Sequence, residues 1–174
     1  MNNYDLAILD NVEIAGFKGN IDNINQTLKA IDKIQNSCCD GTVIQLMDAK
    51  AIGGEKHLIH SIIHGINAFK RGENLANDIG IEICLRASAT RQISKALDII
   101  GLKEGEMDIC ALLIDCPDYY IDELEGLFKR DDSVIAPNPK ILKDIYNVTD
   151  EELSVFHNIT DILIDRTSSL IINI

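Results

Sequence analysis

The chain has 174 residues, a hydrophobic fraction of 46% and a formal net charge of −12. The length fits one domain over residues 1–174, and the apolar share supports a sizeable core. The charge excludes wrapping a long nucleic-acid duplex, which needs many cationic phosphate contacts; it favours basic protein partners and still permits one local cationic site.

Nothing in the sequence is long and apolar enough to span a bilayer, and MNNYDLAILD lacks a basic region ahead of an apolar one. A soluble, cytoplasmic protein without a signal peptide is the expectation. The five cysteines, Cys38, Cys39, Cys84, Cys110 and Cys116, are odd in number and form no CxxC pair. They read as buried free thiols suited to a reducing compartment.

Residues 4–18 predict one or two short strands with a turn near Asp10 and Asn11. Asp22 is placed to cap a helix whose inner side carries Ile24, Leu28, Ile31 and Ile34. TVIQLMD, 42–48, predicts a strand, and a loop with Gly53 and Gly54 leads into a helix over 55–71. IGIEICLRA, 79–87, alternates apolar and other residues and predicts another strand. A helix over 90–100 follows, stopped by Gly101. MDICALLID, 107–115, is almost continuously apolar, as a central strand would be.

A short helix near 119–128 and a small one near 140–146 come next, separated by Pro137 and Pro139. Thr149 and Glu152 have capping-box spacing ahead of one long helix with Leu153, Phe156, Thr160, Leu163, Thr167 and Leu170 on a stripe. The tail LIINI either continues that helix or packs as a strand. The fold class is α/β in the α+β sense: a single layer domain whose mixed, mostly antiparallel sheet is packed with helices.

No GxGxxG, GxxxxGK[ST], nucleophile elbow or HExxH occurs, and GGEK at 53–56 reads as a glycine turn ahead of a helix. At about 100° per residue, Leu58, Ile59, Ile62, Ile63, Ile66 and Phe69 form the buried stripe of helix 55–71. His57, His60, His64 and Arg71 then fall on the far side, a solvated or partner-facing surface or, less simply, a metal face without a completing acid or cysteine. On helix 90–100 the core stripe is Ile93, Ala96, Leu97 and Ile100, which leaves Ile99 to one side with Lys95 and Gln92.

RASATRQISKAL, 86–97, crowds Arg86, Ser88, Arg91 and Gln92 into the junction before that helix. Cations beside free backbone N–H groups at a helix start suit a phosphate. The competing reading is that Arg86 or Arg91 pairs with Glu82 or another acid.

EKHLIHSIIHGINAFKRG, IGIEICLRASATRQISKALDIIGLKEGE and ICALLI together resemble the small non-catalytic regulatory subunit of the KEOPS/EKC complex, the TP53RK-binding-protein family in its archaeal type. The likeness covers roughly residues 42–116, and PKILKDIYNVTDEEL with the helix behind it fits too. The family pattern would place a glycine where Ala89 stands.

The resemblance implies an adaptor without chemistry of its own. Its complex installs a threonylcarbamoyl group on adenosine 37 of tRNAs reading ANN codons, through a transferase subunit and a small atypical kinase acting as an ATPase. The family member binds and activates that kinase and recruits tRNA by its single-stranded 3′ CCA end. Carried onto this sequence, Lys56, His57, Arg86, Ser88, Arg91 and Gln92 are the tRNA-binding candidates, and Lys95, Ile99 and Leu102 the kinase interface. No catalytic residue, metal or cofactor is implied. With aromatics at 5% and no tryptophan, stacking on an unpaired base would fall to arginine, histidine or apolar side chains. The alternative from the residues alone is a small metal-binding or enzymatic protein using the His57, His60 and His64 face.

Overall fold

The computed structural model describes residues 11–37 and 41–172. Strand β1 (Val12–Ile21) leads through helix α1 (Ile24–Gln35) to β2 (Val43–Asp48). Helices α2 (Glu55–Arg71), α3 (Ile79–Ala87) and α4 (Ile93–Ile100) precede β3 (Gly105–Ile114). Then come α5 (Tyr119–Glu125), the two-residue β4 (Lys129–Arg130), α6 (Pro139–Tyr146), α7 (Asp150–Phe156) and α8 (Ile159–Ile172). The strand order is β2-β3-β1-β4 and every described pairing is antiparallel. The expected α+β class with a mostly antiparallel sheet is what forms.

β3 lies at the centre because both of its faces are covered. Met107, Ile109, Ala111 and Leu113 pack with Phe17, Ile31, Tyr120 and Leu124 on the α1 and α5 side. Cys110, Leu112 and Ile114 pack with Leu58, Ile62, Ile83, Ala87 and Ile100 on the α2, α3 and α4 side. Alternating side chains thus meet two different cores, so the run has no polar phase. Cys84 and Cys110 sit in the second core, and burial pushes both thiols up to about 12. Cys38, Cys39 and the strand expected before β1, over 4–10, lie outside the described residues.

The segment 79–87 corrects the reading from alternation: it is a helix, not a strand. Glu82, Cys84 and Arg86 are as buried as Ile83 and Leu85, so this short helix is enclosed almost all round and its apolar period carries no information. The helical signals were Asp78, whose side chain accepts the Ile81 N–H at 2.9 Å, and the four-residue spacing of Glu82 and Arg86. α1 is capped by Asn23 rather than Asp22, with Gln26 N–H donating at 2.9 Å. Leu28 is exposed and does not join the core of α1.

The last helix is two helices. Thr149 and Glu152 close the capping box of α7 as expected. The chain then breaks at His157, with φ of 62°, and Asn158 caps α8 by accepting the Asp161 N–H at 2.9 Å. Leu142, Tyr146, Ile159, Ile162 and Leu163 join α6 and α8 in a small core of their own.

Candidate functional site

The corner before α4 is built by the end of α3. Ser88 donates its hydroxyl to the Cys84 carbonyl at 2.7 Å. The N–H groups of Ala89 and Thr90 reach back to the carbonyls of Arg86 and Leu85, both at 3.1 Å. These are the two bonds of a Schellman cap, whose left-handed position is normally glycine. Ala89 holds that position with φ of 50°, which gives the glycine expected there a backbone reason.

The six tRNA candidates divide by burial. Lys56, Arg91 and Gln92 are exposed. Arg86, Ser88 and His57 are buried. Arg86 points inward from the corner and forms a buried ion pair with Glu82, Nε to Oε1 at 2.8 Å, as the competing sequence reading allowed. Its own carbonyl accepts the Thr167 hydroxyl of α8 at 2.9 Å.

Beside the corner runs a groove of about 520 Å³. Ser88, Ala89 and Thr90 form one wall, Lys95 and Ile99 of α4 a second, and Tyr146, Asn147, Arg166 and Leu170 the third. The groove joins Ser88, from the tRNA set, to Lys95 and Ile99, from the kinase set. Leu102, the remaining kinase candidate, is half-buried against the α1 and α5 core. Arg166 was missed from sequence. Its guanidinium donates to the Tyr146 carbonyl at 2.7 Å and to both Glu152 oxygens at 2.8 and 3.0 Å, fixing α6, α7 and α8 around the groove. Three helices meet through it, and no local pattern announces that.

The wheel of α2 is turned by about one residue step, some 100°, from the hydropathy stripe. The buried positions are His57, Leu58, Ser61, Ile62, Gly65 and Ala68. α3 and α8 both lie against this helix, and close approach selects small side chains that hydropathy does not mark. A Cβ on Gly65 would come within 2.9 Å of Ile83.

The three histidines therefore do not share an outer face. His57 is fully buried, and its Nδ1 accepts the Gly53 N–H at 3.0 Å. Its Nε2 has no well-formed hydrogen bond, and burial pushes the imidazole down to about 4, with the Ala87 carbonyl offsetting only part of that. The His60 and His64 rings pair at 4.3 Å, and His60 Nε2 meets Ser168 of α8 at 2.9 Å. His64 is pushed to about 4 by burial, then by His60, Arg86 and Arg71. Among the described residues, no three His, Cys, Asp or Glu side chains gather as a metal site would require.

α4 corrects a second wheel. Ala96 and Ile100 are its buried residues. Ile93 and Leu97, expected in the core, are 44% and 40% exposed, while Ile99 is half-buried between two cores. No helix among the described residues is long and apolar enough to cross a membrane.

Comparison with known proteins bears on this arrangement. The family described as kinase binding protein CGI-121 matches residues 19–169. The chain is 32% identical over 112 residues to a regulatory protein Cgi121 of Methanocaldococcus jannaschii, covering 62% of this chain and 72% of the relative. It is 36% identical over 78 residues to a KEOPS complex subunit Cgi121 of Pyrococcus abyssi, covering 45% of this chain and 43% of the relative.

Proposed function

The chain belongs to the family of kinase binding protein CGI-121, and from that premise we propose that it is a non-catalytic regulatory subunit of a cytoplasmic KEOPS-type complex. It binds and activates the complex's small atypical kinase, an ATPase, and recruits tRNA by its 3′ CCA end. The complex's other subunits transfer threonylcarbamoyl to adenosine 37.

The observation carrying this reading is the groove at the α3–α4 corner. Its volume suits one or two unstacked nucleotides, its Ser88–Thr90 wall offers backbone and hydroxyl groups, and Lys95 supplies a cation. Arg91 and Gln92 at the corner, and Lys56 at the start of α2, are exposed and serve as phosphate contacts. Arg86 and Ser88 act from inside by shaping the corner on which Arg91 and Gln92 stand, and His57 by bonding the Gly53 N–H at the start of α2, beside Lys56. A short frayed RNA end needs few contacts, which reconciles tRNA binding with the net charge of −12. The kinase meets α4, the helix that carries Lys95 and Ile99 and ends just before Leu102.

Mixing the purified chain with its host's cognate small kinase tests the proposal. The two should co-elute and ATP hydrolysis should rise; separate elution with unchanged hydrolysis would defeat the adaptor role. Binding to tRNA should weaken markedly when the last three nucleotides are removed, and equal binding would remove the 3′-end claim. Lys95→Glu and Arg91→Glu should each weaken the intact tRNA and leave the trimmed one little changed.

A further inference from the structure

We propose that Arg166 is the stacking plate of the groove, on which one unpaired base of the bound RNA end lies flat, and that Glu152 is the positioning residue that holds the plate. This rests on the 3′-end reading and adds the side chain that takes the base.

An unstacked base in a compact groove gains most from a flat partner, and one such contact changes affinity by about tenfold. Among the described residues that line the groove, Tyr146 is the one aromatic. It is 7% exposed, and its hydroxyl donates to the Ala51 carbonyl at 2.7 Å and to the Ala87 carbonyl at 3.3 Å. That ring is pinned inside and does not turn to a ligand. The other planar group in the lining is the Arg166 guanidinium, whose side chain is 29% exposed. A guanidinium stacks on a base much as an aromatic ring does.

The partners of Arg166 make it a plate. Nη1 donates to the Tyr146 carbonyl at the end of α6, and Nη2 donates to both carboxylate oxygens of Glu152 in the first turn of α7. The N–H bonds of a guanidinium lie in its plane, so these contacts set the tilt of the plane and leave its faces without hydrogen bonds. A group held in this way loses little freedom when a base settles on it. Glu152 is itself fixed, because its Oε2 also accepts the Thr149 N–H at 2.9 Å. The capping box of α7 therefore has a second use as the mount of the groove arginine. Leu170 follows Arg166 by one turn of α8 and also lines the groove, so it extends the plate with apolar surface. Charge divides the work. Glu152 offsets the charge of Arg166, so the arginine offers a face more than a cation. Lys95 is exposed and belongs to no ion pair among the described residues, and it takes the phosphate.

The test measures tRNA affinity for the full chain and for Arg166→Lys, Glu152→Gln and Lys95→Gln. The probes are intact tRNA, tRNA trimmed of its last three nucleotides, and three tRNAs that each carry one abasic nucleotide among those three. Arg166→Lys keeps the charge and loses the plane, and it should weaken intact tRNA about tenfold. At one abasic position the unaltered chain should lose about tenfold and Arg166→Lys should lose nothing further, because plate and base act as a pair. Lys95→Gln is the contrast: its loss should multiply with the abasic loss at every position. Full affinity in Arg166→Lys, or losses that multiply at all three positions, would overturn the plate and spare the 3′-end reading. Glu152→Gln should lose about threefold, and only where the plate's base is present; full affinity there would overturn the positioning role. Equal binding of intact and trimmed tRNA by the unaltered chain would end both. Should Arg166→Lys not fold, Glu152→Gln, at a position 34% exposed, takes its place in the same cycle.

Discussion

Glu82 and Arg86 stand one helical turn apart on α3 and close their ion pair inside the protein, 0% and 5% exposed. The arginine that looked most like a nucleic-acid contact is a strut. Removing one partner strands the other charge without water, which costs about 3–5 kcal/mol. Arg86→Ala should therefore lower stability by that order in urea unfolding, whereas Arg91→Ala, at the exposed corner, should change it by less than about 0.5 kcal/mol. If the two variants unfold alike, the burial of Arg86 has been misjudged.

Ala89 occupies a left-handed position with φ of 50°. An L-residue with a Cβ is strained there by about 1–2 kcal/mol relative to glycine, while glycine gains entropy in the unfolded chain. The net expectation for Ala89→Gly is a gain of about 0.5–1 kcal/mol, read as a higher urea midpoint with an unchanged slope. A loss would mean that the corner tolerates the Cβ without strain.

Ile99 and Leu97 exchange the roles that the α4 wheel assigned to them. Ile99 packs between two cores, so Ile99→Glu buries a carboxylate and should cost about 2 kcal/mol or more of stability. Leu97 is 40% exposed, and Leu97→Glu should cost well under 1 kcal/mol. Thermal unfolding of the two variants side by side decides it, and equal shifts would count against this placement of α4.

His57 is neutral and buried, with its imidazole at about 4 instead of the usual 6.5. Between those two values the unfolded chain binds a proton that the folded chain does not, so stability falls as the pH falls. The His57 contribution is fully present above pH 6.5 and is lost on descent to pH 4, on the order of 3 kcal/mol in all. His64, shifted the same way but half-buried, adds in the same direction. Urea unfolding at pH 7.5, 5.5 and 4.5 should show the decline, and His57→Asn should flatten it while lowering stability at pH 7.5. An unchanged slope in that variant would assign the pH dependence to other groups.

The features legible from the chain were those whose causes are local. The capping box of Thr149 and Glu152 closed as its spacing implied. The glycine turn before α2 formed, with Gly54 at φ of 86°, and MDICALLID became the central strand. The crowding of Arg86, Ser88, Arg91 and Gln92 did mark where two elements meet, but the first was read as a strand, and Arg91 and Gln92, expected within a helix over 90–100, precede α4, which starts at Ile93 with Gln92 as its N-cap.

What the sequence determined by itself was the element type wherever caps, breakers and long apolar runs spoke, the acidic surface, and the family pattern from the histidine helix to the RQI block. The tertiary structure alone decided which faces are inside. α3 is buried almost all round, so neither periodicity could show in it. α2 lies against two helices, and its inner face therefore joins His57, Ser61, Gly65 and Ala68 to Leu58 and Ile62, a set that hydropathy alone does not mark. The groove gathers α3, α4, α6 and α8 from positions up to 82 residues apart, between Ser88 and Leu170. Burial depends on how many neighbours a helix has and how near they come, and those neighbours arrive only when the chain has folded.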